Sequence, residues 1–133
     1  GSIVAGARKS ASSLHAMNSA AALLRGELPE RLRPGGATTI GVIATDAALD
    51  KAQCTQLAAM AHDGLARCIS PAHTPFDGDT LFALSLGDSA PAPASLALLG
   101  TLAAEVTARA ILHAVRHAVG RPGCPAARDL LVV

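Results

Sequence analysis

Two short apolar runs, Thr38–Thr45 and Thr80–Leu86, most constrain what this chain can fold into. The first is β-branched and directly follows a glycine-rich stretch, so it reads as a buried strand. In the second, Leu81, Phe82, Leu84 and Leu86 are nearly continuous. Runs apolar on both faces suit a sheet covered by other layers. Between the runs, Asp50 opens a helix. Its carboxylate is placed to cap the first turn, and Gln53 stands at the reciprocal capping-box position. Cys54, Leu57, Ala61, Leu65 and Cys68 then fall on one helical face. Ile69 to Pro75 reads as a loop and Asp88 to Pro93 as a proline-containing turn.

A long helix is expected from about Ser95 to Val119. Arg116 and His117 lie in its last turn, where positive charge suits the helix dipole. Gly120 ends it and Pro122 prevents its continuation. Upstream, Gly1 to Ala5 reads as the end of a strand, and Ser12 to Leu24 as a short alanine-rich helix. Gly26 to Gly36, with Pro29, Pro34, Gly35 and Gly36, reads as an exposed linker. Asp129 to Val133 reads as a short edge strand or a disordered tail. Strands alternating with helices indicate a layered α/β domain.

Composition narrows the function. Half of the 133 residues are apolar, but only two Phe and no Trp or Tyr are present, so Ala and Leu must do the packing. The formal charge of +1 implies no nucleic-acid or membrane-surface partner. The three cysteines are odd in number and widely spaced, as expected of reduced, mostly buried thiols in a cytoplasmic protein. The N-terminus lacks the charged region and apolar stretch of a signal peptide. The greasy segment Leu96–Val119 is interrupted by Glu105, Arg109, His113, Arg116 and His117, so it is read as a soluble helix rather than a membrane span.

Two strings carry the chemistry: Ala37-Thr38-Thr39-Ile40-Gly41-Val42-Ile43-Ala44-Thr45-Asp46-Ala47 and Phe76-Asp77-Gly78-Asp79-Thr80. Threonine is a poor nucleophile unless a base is close by. No G-x-S-x-G elbow is present. A route without histidine is self-cleavage: the Thr38 hydroxyl attacks the Ala37 carbonyl, and the amino group released at Thr38 becomes the base. An α-amino group titrates near neutrality. Pro34-Gly35-Gly36 supplies an adaptable turn for such a step. Asp77 and Asp79 are two apart, so in an extended segment their carboxylates point the same way. Their joint charge would favour a cationic amine, and close carboxylates tend to share a proton. Too few oxygen ligands are in view for a metal. Taken alone, the residues favour an ordinary strand-initial threonine and an ordinary Asp-Gly-Asp turn.

The Thr38–Ala47 string, with Lys51-Ala52-Gln53-Cys54 and Ala61-His62-Asp63-Gly64-Leu65-Ala66-Arg67, closely resembles the DmpA-like family. That family comprises L-aminopeptidase/D-esterases, β-aminopeptidases and nylon-oligomer endohydrolases. The resemblance runs from about Ala37 to Leu86. It implies a layered α-β-β-α sandwich, shared with ornithine acetyltransferases, of which this chain is the C-terminal part. Residues 1–37 would then end the α-subunit region and its linker, and residues 38–133 would form the β-subunit region. The resemblance further implies autocleavage between Ala37 and Thr38, Thr38 as nucleophile, and Asp77 and Asp79 as the acidic pair that orients it. No cofactor is implied. The implied partners are a small peptide or amide substrate, the α-subunit region of the chain's own precursor, and further copies in a homo-oligomer.

The chain departs from the family pattern at two points. Relatives usually carry asparagine before the nucleophile, where this chain has Ala37, although ornithine acetyltransferases cleave an Ala-Thr bond. The family's oxyanion-hole asparagine belongs to the α part, and Asn18, the only asparagine here, lies in a different context. Among the remaining candidates, His113 and His117 share a helix face, but no Glu follows His113 as in a zinc motif. His62 and Asp63 read as surface or interface, His73 as rimming a pocket, and Cys54 and Cys68 as packing. Thr39 and Thr45 are placed to hydrogen-bond near the nucleophile, and strand propensity accounts for them equally well. The leading expectation is an amide hydrolase. An acyltransferase of the ornithine acetyltransferase kind and an inactive fragment are the alternatives.

Overall fold

The computed structural model describes residues 2–27, 37–88 and 95–131. The chain divides into two compact units, Arg31–Arg109 and a second made of Gly1–Glu30 with Ala110–Val133. Elements in chain order are α1 (Ser19–Leu24), β1 (Ile40–Thr45), α2 (Lys51–Cys68), β2 (Thr80–Ser85), α3 (Ser95–His117) and a 3₁₀ turn, Ala127–Asp129.

In the first unit, α2 begins where the sequence places it. Asp50 Oδ1 accepts from the Gln53 amide at 2.8 Å, and Gln53 Oε1 accepts from the Asp50 amide at 2.9 Å. Such reciprocal capping satisfies two amides that the first turn would otherwise leave unpaired, worth about 1 kcal/mol. The helix carries the chain back over the sheet, so β1 and β2 pair in parallel. Their register runs from Ile40 opposite Thr80 to Thr45 opposite Ser85.

The pleat then sorts the side chains. Ile43 and Leu81 point inward and join Leu57 and Ala61 of α2 and Ala103 of α3 in the core, with Leu49, Ala83 and Leu99 packed around them. Leu57 and Leu65 are fully buried. On α3, the buried positions Gly100, Ala103, Ala104 and Thr107 follow the spacing of one helical stripe. Small residues there let α2 and α3 approach closely. At Gly64 of α2, a β-carbon would lie 2.0 Å from the Ala104 carbonyl oxygen. Beyond the strands, Ser85 Oγ accepts from the Leu49 amide and donates to the Ala47 carbonyl, both at 2.8 Å. By length and composition alone, α3 with its 23 residues is long and apolar enough to cross a bilayer.

Both strands were expected to be covered on two faces. Among the described residues of this unit, one face is covered. Ile40, Val42, Phe82 and Leu84 alternate with the core residues and remain 71%, 60%, 54% and 50% exposed. The described residues of this unit therefore form one helical layer against one sheet layer.

The second unit is less regular than expected. The helix expected over Ser12–Leu24 is confined to Ser19–Leu24, because Asn18 caps it by accepting from the Ala21 amide at 2.9 Å. Just upstream, Ser13 Oγ accepts from the His15 amide. Such local side-chain bonds compete with helix formation. Residues 2–5 form no strand; the described part of the tail makes a 3₁₀ turn and a bridge between His15 and Leu131, and residues 132–133 lie outside the described residues. The final helix ends at His117, two residues earlier than expected, and Arg128 donates to the free carbonyls of His117 and Ala118. Residues 28–36 of the expected linker and 89–93 of the expected turn lie outside the described residues.

Candidate active site

The parallel pairing continues upstream of the named strands and builds a site there. Thr80 donates its amide to the Thr39 carbonyl, and Gly78 donates its amide to the Ala37 carbonyl, both at 2.9 Å. Ala37 and Asp77 form an isolated parallel bridge. Ala37-Thr38-Thr39 thus runs directly beside Asp77-Gly78-Asp79, although 40 residues separate the two strings.

Thr38 is exposed, and its hydroxyl has no hydrogen-bond partner among the described residues. The hydroxyl sits over Gly78. A β-carbon on that glycine would lie 2.7 Å from Thr38 Oγ1, closer than real side chains tolerate. A side chain at this position would therefore displace the Thr38 hydroxyl.

The two carboxylates separate in role. Asp79 Oδ1 accepts from the Thr39 amide at 2.8 Å, one residue after Thr38. Asp77 Oδ2 instead accepts from the Thr74 amide at 2.8 Å, while its own amide donates to the Thr74 carbonyl at 3.0 Å. Asp77 thus closes the loop that delivers the string, and Asp79 bridges the two strands. Both side chains are half-buried. The structure brings Thr38, Gly78 and Asp79 together and places Asp77 beside Ala37 through its backbone. Gly78 was legible only as the glycine between two aspartates. Its contact with Thr38 needs the strand register.

The other candidates take structural places. His62 Nδ1 and His73 Nε2 lie 2.9 Å apart and share a hydrogen bond that ties the Ile69–Pro75 loop to α2. His73 holds the left-handed region at φ 56°, uncommon outside glycine. The rings of His113 and His117 stack at 3.9 Å, and His117 Nδ1 lies 2.9 Å from the His113 carbonyl. Thr45 Oγ1 accepts from the Ala47 amide at 3.1 Å. Cys68 donates to the Ala108 carbonyl at 3.4 Å; Cys54, Cys68 and Cys124 are free thiols, but none is fully buried as expected, the first two being half-buried and Cys124 exposed. Among the described residues no three metal-ligating side chains gather.

Comparison with known proteins adds to this geometry. Residues 3–126 match peptidase family S58. A protein named an uncharacterized aminopeptidase in Mycobacterium tuberculosis is 50% identical over 105 residues, covering 70% of this chain and 30% of its own length. Its counterpart in Mycobacterium leprae is 46% identical over 100 residues, covering 66% and 28%. A 6-aminohexanoate-oligomer endohydrolase of a Kocuria species is 35% identical over 100 residues, covering 65% and 28%. The chain thus spans less than a third of the length of these relatives.

Proposed function

The chain belongs to peptidase family S58, and on that premise we propose that it carries the nucleophile half of a self-processing amide hydrolase. Thr38 Oγ1 attacks the Ala37 carbonyl, the C–N bond breaks, and the hydroxyl proton ends on the Thr38 nitrogen. Water then hydrolyses the ester, leaving a carboxylate on Ala37 and a free amine and hydroxyl on Thr38. In the mature site that amine takes the proton from the hydroxyl as Thr38 attacks a substrate carbonyl.

One observation carries this reading. The Ala37–Thr38 peptide is clamped at the sheet edge, its carbonyl held by Gly78 and the next amide held by Asp79, while the Thr38 hydroxyl has no bond among the described residues. A scissile bond held rigidly beside its nucleophile gains from proximity and orientation. Asp79 is the carboxylate suited to hold the ammonium form of the new terminus. Asp77 fixes the loop.

Substrates in this reading are short peptides, amino-acid amides or ω-amino-acid oligomers. The last class is suggested by the name of the Kocuria relative. The open sheet face of Ile40, Val42, Phe82 and Leu84 is the surface the α-subunit region of the same precursor would cover, completing an α-β-β-α sandwich. A homo-oligomer acting in the cytoplasm is part of the same reading.

Intact-mass measurement of the full-length precursor tests it. Wild type is expected to yield one product ending at Ala37 and one beginning at Thr38, and Thr38→Ala to remain one chain. A wild-type precursor that stays intact refutes the reading. The Ala37-Thr38 junction also suits an acyltransferase. Turnover of an amino-acid anilide marks the hydrolase, and acetyl transfer from N-acetylornithine to glutamate marks the transferase.

A further inference from the structure

Gly78 touches both reacting groups of the proposed cleavage. Its amide nitrogen lies 2.9 Å from the Ala37 carbonyl oxygen, and its Cα faces the Thr38 hydroxyl so closely that no β-carbon fits between them. We propose that the Gly78 backbone N–H is an oxyanion donor, first for self-cleavage and then for substrate turnover. The inference rests on the Ala37–Thr38 cleavage proposed above.

The carbonyl oxygen is the atom on which negative charge develops. When Oγ1 adds to the Ala37 carbon, the C=O double bond opens and its electron pair settles on this oxygen. A hydrogen bond to a neutral carbonyl then becomes one to an oxyanion, and charge-assisted bonds are roughly twice as strong. The gain appears in the transition state and not in the ground state, which is the condition for acceleration. The donor is preorganised. The Asp79 bond to the Thr39 amide holds the two strings in register, so the N–H need not reorient as charge forms.

The same donor serves twice. After the acyl shift, the Ala37 acyl group is esterified to Thr38 Oγ1. Hydrolysis removes it and frees the Gly78 N–H. A substrate acyl group later bonded to Oγ1 occupies the place that the Ala37 acyl group left, so its oxygen meets the same N–H. The group recognised is a planar acyl carbon with a small substituent on the Gly78 side, because the hydroxyl already lies against that glycine.

Backbone substitution tests this. In the full-length precursor, Gly78 is replaced by glycolic acid, which exchanges N–H for an ester oxygen and adds no side chain. The control replaces Thr80 by its α-hydroxy analogue, deleting the adjacent ladder bond from Thr80 to Thr39. Cleavage is followed by intact mass. The Gly78 ester is expected to slow cleavage about 100-fold or more, as loss of one oxyanion donor does, and the Thr80 ester by less than about threefold. Given time to finish processing, the Gly78 ester should then lower kcat for an amino-acid anilide by a similar factor, with KM nearly unchanged. Equal slowing by the two esters, or wild-type cleavage by the Gly78 ester, overturns the proposal while leaving the Thr38 reading intact. A wild-type precursor that never cleaves overturns both.

Discussion

Gly64→Ala should destabilise the protein even though alanine is the better helix former. Gly64 lies inside α2, where replacing glycine by alanine ordinarily gains about 1 kcal/mol. The packing opposes this. The new β-carbon would lie 2.0 Å from the Ala104 carbonyl oxygen, 2.9 Å from its carbonyl carbon and 2.9 Å from Thr107 Cβ. The first contact falls about 1.4 Å short of ordinary van der Waals separation. Its partner is the backbone of α3, which no rotamer change can move, so the helices must part. Overpacking a core costs about 1–3 kcal/mol and occasionally more. A backbone collision beside fully buried Leu65 belongs at the upper end. The net expectation is a loss of about 2 kcal/mol.

Urea unfolding of the 133-residue chain, followed by circular dichroism, measures this. With a slope of roughly 1–2 kcal/mol per molar, the midpoint should fall by about 1–2 M. Gly100→Ala is the matched comparison. There the three atoms nearest the β-carbon would all belong to the Met60 side chain, with Sδ at 2.1 Å and Cε at 2.2 Å. A thioether tip can swing aside, so the helix-propensity gain should survive and the midpoint should hold or rise. A Gly64→Ala protein as stable as wild type, or equal losses at the two sites, would refute the reasoning.

Two further substitutions separate stability from chemistry, alongside Thr38→Ala and the Gly78 ester described above. Ser85→Ala removes a hydroxyl bonded to both Leu49 and Ala47, leaving a half-buried amide unpaired. A loss of about 1–3 kcal/mol is expected, and an unchanged urea midpoint would show that water replaces the bond. Asp79→Asn keeps an oxygen for the Thr39 amide but removes the charge. Its unfolding midpoint should stay within about 1 kcal/mol of wild type, while precursor cleavage or anilide turnover falls at least about tenfold. Full activity in that variant would remove Asp79 from the proposed site.

Much of the local structure was legible without coordinates because its causes lie within a few residues. Asp50 and Gln53 are three apart, and their reciprocal bonds start α2 where the pattern places it. The β-branched run after Thr38 and the apolar run after Thr80 yield strands within two residues of the expected bounds. The second unit was read less well. Its sequence offers Ala-rich periodicity from Ser12, but Ser13 and Asn18 divert the backbone before Ser19. Those bonds are short-range too, yet several alternatives compete at similar energy, and the outcome depends on what the segment packs against.

The sequence by itself determined the strands, the capped helix and the two strings that resemble peptidase family S58. Tertiary structure decided what those strings do to each other. Parallel pairing joins residues 37–39 to residues 77–79, so a glycine N–H reaches the Ala37 carbonyl and only one of two similar carboxylates reaches the Thr39 amide. Alternation made Asp77 and Asp79 look equivalent, but the loop closed by Thr74 draws one of them away. The close approaches at Gly64 and Gly78 were equally hidden. The physical reason is common to the cross-strand bonds and to both close approaches. Each is a contact between segments about 40 residues apart, set by register and helix separation, and no local preference encodes either distance.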